Sequence, residues 1–130
     1  MDEALNTTLE PVRRVAGLYL YRYGEMAYDT YRVTMEPDGY YLSVSDEPGE
    51  PFPDESAAAL MEIIDKYDVQ SWDGFSEYNE YVLDGDGFQL EIWLTDGTHI
   101  QASGENKFPE NYAYAMGGFW DILTEAAGVE

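Results

Sequence analysis

The sequence predicts a single α+β domain, an antiparallel sheet of about five strands with two helices packed on one face. Three observations predict it. Residues 14–45 and 87–103 alternate apolar and polar side chains at the two-residue period of strands, and Asp-Gly dipeptides break them into turns. Residues 54–68 and 110–127 carry apolar stripes at helical spacing. The helical and strand stretches each bury one face, and the economical way to cover both is to pack them together. A chain of 130 residues is one domain by length, here taken as 1–130. Its 45% hydrophobic and 15% aromatic content supplies a core despite the charge.

Residues 1–12 read as a loose lead-in. Arg14–Tyr23 is a first strand, with Leu18 and Leu20 on one face and Tyr19, Tyr21 and Tyr23 on the other. Tyr28–Met35 is a second, with Tyr31, Val33 and Met35 in register. Pro37–Gly39 is a turn, and Tyr40–Ser45 returns with Tyr40, Leu42 and Val44 together, completing a three-stranded meander over 14–45. Asp46–Pro53 holds three prolines and a glycine and reads as a loop. A helix follows over 54–68, capped by Asp54 or Ser56, with Leu60, Ile63, Ile64 and Tyr67 on its stripe. The chain then turns at Asp73-Gly74. Gly87–Thr95 sends Phe88, Leu90, Ile92 and Leu94 one way and Gln89, Glu91 and Trp93 the other. Asp96-Gly97 is a tight hairpin turn, and Thr98–Ser103 returns with Ile100 and Ala102 inward. The last helix, 110–127, has the stripe Tyr112, Met116, Phe119, Trp120 and Leu123. Gly117-Gly118 interrupts it at a kink or a close approach. The sheet's other face then carries tyrosines, Trp93 and His99, either exposed or covered by the N-terminal segment.

Charge bounds the partners. There are 27 acidic residues and 6 basic ones, for a formal net charge of −21. Residues 1–35 net only −1, whereas residues 36–130 set 22 acids against Lys66 and Lys107 and net −20. Phosphate recognition needs cations, so nucleic acid and anionic membranes are excluded as direct partners. A basic protein surface is attracted. Solubility alone also accounts for acidic side chains. The absence of cysteine excludes disulfide and thiolate chemistry. No run reaches the roughly 20 apolar residues of a membrane span. The opening MDEALNTTLE is unlike a secretory signal, so the expected location is cytoplasmic.

Catalytic signals are weak. His99, the only histidine, alternates with Ile100 and so belongs on the outer sheet face. Ser103 shares that face, yet no nucleophile-elbow motif accompanies it. Leu83–Phe88 (LDGDGF) resembles the opening of a calcium loop through Asp84 and Asp86. Phe88, Gln89 and Thr95 then occupy positions that a ligand, a glycine and a bidentate Glu should fill. Carboxylate pairs such as Glu77 with Glu80, Asp84 with Asp86 and Asp46 with Glu47 are abundant, as a chain this acidic makes them by chance. No catalytic residue, metal or cofactor is expected. Tyrosine is a preferred interface residue, and an exposed tyrosine-rich patch is expected among Tyr19, Tyr21, Tyr23, Tyr28, Tyr40, Tyr41, Tyr78 and Tyr81.

The segments IIDKYDVQSWDGF and LDGDGFQLEIWLTDGTHIQASGENKFPENY resemble an uncharacterised domain of gut Firmicutes proteins. The shared frame is Val-x-x-Trp-x-Gly-Phe, an alternating strand, Asp-Gly, and Ala-Ser-Gly-x-Asn-x-Phe-Pro-x-Asn-Tyr. It covers residues 60–123 and implies one continuous fold without implying an activity. Within it, Ser103, Gly104, Asn106, Phe108, Pro109 and Tyr112 read as a structural joint. Gly104 permits a positive φ, Ser103 and Asn106 bond loop backbone, Phe108 anchors in the core, and Pro109 presets the helix start.

The resulting expectation is a small, acidic, non-enzymatic interaction protein. Its partner is a basic protein, such as a nuclease or other nucleic-acid-binding protein, which it inhibits by charge mimicry. The expected partner-binding residues are Asp46, Glu47, Glu50, Asp54, Glu77, Glu80, Asp84 and Asp86, with Tyr19, Tyr21, Tyr41 and Trp93. The alternative is a module that binds a small molecule or peptide on the tyrosine-rich sheet face.

Overall fold

The computed structural model describes residues 13–24, 30–79 and 86–128. Among them are seven strands and two helices. The strands are β1 (Val15–Tyr23), β2 (Thr30–Glu36), β3 (Gly39–Val44), β4 (Glu50–Phe52), β5 (Ser76–Tyr78), β6 (Gly87–Leu94) and β7 (His99–Glu105). The helices are α1 (Asp54–Lys66) and α2 (Tyr112–Ala127), with a short 3-10 turn at Val69–Trp72 after α1. All strands join one sheet in the order β4-β3-β2-β1-β6-β7-β5.

The fold is α+β, but the sheet is larger than five strands and is mixed. β5 runs parallel to β7 while every other pair is antiparallel. The two additional strands are three-residue edges with little apolar pattern to announce them. β5 is exposed at all of its positions. β4 lies in the proline-rich stretch expected to be loop, buries only Phe52, and tolerates Pro51 because an edge strand has a side with no ladder to satisfy.

Alternation explains the interior. Leu18 and Leu20 of β1 face Val33 and Tyr31 of β2 on one side, and Ile92 and Leu90 of β6 on the other. All six are at most 1% exposed. Tyr40, Leu42, Phe52, Phe88, Ile100 and Ala102 extend this face across the sheet. Both helices cover it, α1 through Ala57, Leu60, Met61 and Ile64, and α2 through Ala115, Met116, Phe119 and Leu123. A bulge between Val15 and Gly17, opposite Leu94 and Trp93, lets Val15 and Leu18 both point inward although they are three residues apart. Tyr40 enters the core with its hydroxyl donating to the Val15 carbonyl oxygen at 2.8 Å.

Several local expectations are revised. Pro53 precedes the first turn of α1, and neither Asp54 nor Ser56 makes a side-chain cap. Asp54 and Glu55 sit inside that turn, where their charge suits the dipole. The β6–β7 connection is four residues, Thr95 to Thr98, with the Leu94 N–H donating to the Thr98 carbonyl to close the turn. Gly97 donates to the Leu94 carbonyl at φ +93°, and Thr98 N–H donates to the Asp96 side chain. In the joint before α2, Asn106 takes the left-handed conformation (φ 61°), not Gly104. Gly104 lies within β7, where a Cβ would meet the Lys107 carbonyl oxygen and the Phe88 ring. Close approach, not φ, requires glycine there. Phe108 stays 40% exposed and lids the aromatic cluster of Phe88 and Tyr112 instead of anchoring in the core. Gly118 admits the Ile63 side chain of α1, so of the Gly117-Gly118 pair it is Gly118 that serves helix–helix contact.

Replacing Gly104 by Ala should cost about 1–3 kcal/mol through overpacking against backbone that cannot easily move. Ala at the exposed Gly117, with open space around its Cβ, should be neutral or stabilising. Urea unfolding of both variants checks the contrast.

Candidate functional site

The described part of the chain leaves the second face of the sheet without a covering layer, and the register fixes what stands on it. Gly17, Trp93 and His99 form one row across β1, β6 and β7. Tyr19, Glu91 and Gln101 form the next, and Tyr21, Gln89 and Ser103 a third. On β2, Thr34 and Arg32 continue the first two rows. Tyr41 extends the first on β3, where its hydroxyl donates to Asp38 Oδ2 at 2.8 Å, an interaction that raises its pKa.

Side chains on this face hold one another. His99 stacks on Trp93 with ring centroids 5.3 Å apart, and its Nε2 lies 2.7 Å from Glu91 Oε2. The Arg32 guanidinium sits 5.0 Å over the Tyr19 ring. Tyr21 stacks on Tyr23 at 5.5 Å. Two adjoining depressions result. One, of about 590 Å³, is mostly apolar and lies among Gly17, Tyr19, Arg32, Thr34 and Trp93. The other, of about 330 Å³, is more polar and lies among Phe75, Gln89, Gln101 and Ser103. Tyr19 and Glu91 border both.

The expected partner-binding residues therefore divide. Tyr19, Tyr21 and Trp93 come together on the bare face, and Tyr41 lies two strands from Tyr19. The carboxylates do not join them. Asp46, Glu47, Glu50 and Asp54 are exposed at the β4 edge, where α1 begins, Glu77 is exposed on the opposite edge strand β5, and Asp86 is exposed just before β6, beside Gly24. Six strand spacings of about 4.8 Å separate the two edges, roughly 29 Å. Glu77 lies 3.6 Å from Lys107. Glu80 and Asp84, with Tyr28 and Tyr81, lie outside the described residues.

The β4 edge has its own concavity. A depression of about 220 Å³ is walled by Leu42, Val44, Pro48, Pro51, Ala126 and Ala127 and flanked by Glu47 and Glu50. It forms because α1 and α2 pack antiparallel. Ile63 meets Gly118, and Tyr67 stacks on Tyr114, so the end of α2 comes down beside the start of α1. Exposed Glu55, Glu62 and Asp65 on α1, and Asp121 and Glu125 on α2, extend the negative surface over the helical side. Their spacing, i, i+7 and i+10 on α1 and i, i+4 on α2, sets them on the polar side of each stripe, a pattern that the sequence itself carries.

His99 has an acid beside it, but Ser103 is four residues along the same strand, about 13 Å away. No group of three or more His, Cys, Asp or Glu side chains among the described residues is placed to hold a metal. No described helix is long and apolar enough to cross a membrane. The sequence matches no protein-family model and no curated protein.

Burial in the aromatic cluster of Trp72, Phe88 and Phe108 pushes the Tyr112 hydroxyl up to about 12, with Arg22 opposing. A raised folded-state value means that the unfolded chain releases this proton first. The Tyr112 contribution is intact below pH about 10 and is lost as pH rises toward about 12. Alkaline urea titrations should show stability falling across that window, with a shallower fall in Tyr112→Phe.

Proposed function

We propose that this protein is a non-enzymatic interaction protein that binds a basic partner protein through its acidic β4 corner and the helical side beside it. The observation that carries this reading is the corner depression. Its apolar walls suit the methylene stem of a lysine or arginine, and Glu47 and Glu50 stand where the charged head would emerge. Asp54 and Glu55 at the start of α1 and Glu125 near the end of α2 surround it with further negative charge.

With six cations against 27 acids, the protein's own positive charge does little to dilute this field. Arg13 is bonded to Asp65 at 2.7 Å and to Gln70 at 3.0 Å. Arg22 lies over Trp120, Arg32 over Tyr19 and Lys66 over Tyr67. No charged side chain among the described residues is buried, so the carboxylates face solvent and act on whatever approaches. A nucleic-acid-binding protein has the complementary positive surface. Occupying that surface excludes its nucleic acid and inhibits it, with carboxylates standing in for phosphates.

The test is capture from host lysate on the immobilised protein, washed at low and high salt, followed by kinetics with the captured partner. A basic nucleic-acid-binding protein should be retained at low salt and weakened at high salt. The Glu47→Lys, Glu50→Lys double variant should slow its association several-fold or more. A specific partner held equally at both salts and by the double variant contradicts the reading.

A further inference from the structure

We propose that the bare face of the sheet is a saccharide-binding surface that takes a neutral glycan lengthwise across β1, β6 and β7. It is separate from the corner assigned to the basic partner, and its chemistry differs. The corner and the helical side are dominated by carboxylates, whereas the centre of the sheet face is balanced. Arg32 and Glu91 flank Tyr19 in one row, one on each neighbouring strand. A charged ligand is attracted by one of these groups and repelled by the other. A ligand rich in hydroxyls uses both, because a guanidinium donates and a carboxylate accepts.

The rest of the face has the same two-sided character. Gln101 stands beside Glu91, and Gln89 and Ser103 form the adjacent row, adding neutral groups that both donate and accept. Sugar rings combine hydroxyl rims with apolar C–H faces, so they need apolar plates as well. Trp93, 40% exposed, supplies one within the same trough. The Trp93 plate is preset. His99 stacks on it and is tied to Glu91, and a Cβ on Gly17 would come within 3.1 Å of the indole Cε3, so glycine lets the ring settle close over β1 without a shift. Side chains fixed on paired strands lose little freedom on binding.

Shape selects among neutral ligands. The two depressions, about 590 and 330 Å³, meet at Tyr19 and Glu91 and form a shallow trough instead of an enclosed cavity. A chain of sugar units fits such a trough better than one small molecule. A basic peptide would meet Arg32 in its apolar half.

Isothermal titration of the full chain with cellohexaose, xylohexaose, mannohexaose and chitohexaose tests the proposal, with hexa-arginine as the charge control. At least one sugar should bind at micromolar to millimolar concentration, with little dependence on salt. Trp93→Ala and Gln101→Ala, both at exposed positions, should each weaken it about tenfold or more. The Glu47→Lys, Glu50→Lys variant should bind it unchanged, which separates this surface from the corner. Three outcomes overturn the proposal: no heat from any of these sugars with natively folded protein, sugar binding that survives both substitutions, or hexa-arginine binding that Trp93→Ala abolishes.

Discussion

The pairing of β1 with β6 decides where most of the other side chains go. These strands lie at the middle of the sheet, and their register sets Leu18 against Ile92 and Leu20 against Leu90 beneath the helices. Because side chains alternate, the same register must place Tyr19 against Glu91 and Tyr21 against Gln89 on the opposite face. A slip of β1 by one residue would bury Tyr19 and Tyr21 and expose Leu18 and Leu20, so the core enforces the register strongly. The arrangement of the bare face is thus a consequence of burying the other one. The bulge at Val15–Gly17 is the local exception, and it brings Gly17 beneath Trp93.

From that constraint follows a surface of two characters. Both helices lie on one side with their apolar stripes on the core, and Glu55, Glu62 and Asp65 of α1 and Asp121 and Glu125 of α2 are among the positions left exposed. Antiparallel helix packing brings the end of α2 to the start of α1, concentrating carboxylates and a small apolar hollow at one corner. The opposite face carries aromatic rings and amides around a balanced Arg32 and Glu91. A net charge of −21 therefore says little about the sheet face. Charge that is uneven along the chain is uneven in space as well.

How much of this was legible in the sequence depended on pattern strength. β1, β2, β3, β6 and β7 were readable because each alternates over at least six residues, and both helices because their stripes run for three turns or more. β4 and β5 were not, since Glu50-Pro51-Phe52 and Ser76-Glu77-Tyr78 pair through backbone at an edge and carry almost no burial signal. The outward set Tyr19, Tyr21, Glu91 and Trp93 followed directly from alternation. Its assembly into a trough did not, because strand order brings β1 beside β6, residues some 70 positions apart in the chain. The role of Gly104 was misread for a similar reason. A glycine needed for φ and one needed for close approach look identical in sequence, and only the nearness of Lys107 and Phe88 separates them.

Hydroxyl-radical footprinting of the intact protein, read by mass spectrometry at each tryptophan, tests the central claim that, among the described residues, the sheet is covered on one side and open on the other. Trp93 should oxidise readily, and Trp72, 2% exposed, should be protected. Trp93 protected as fully as Trp72 would mean that the second face is covered, and would contradict the account.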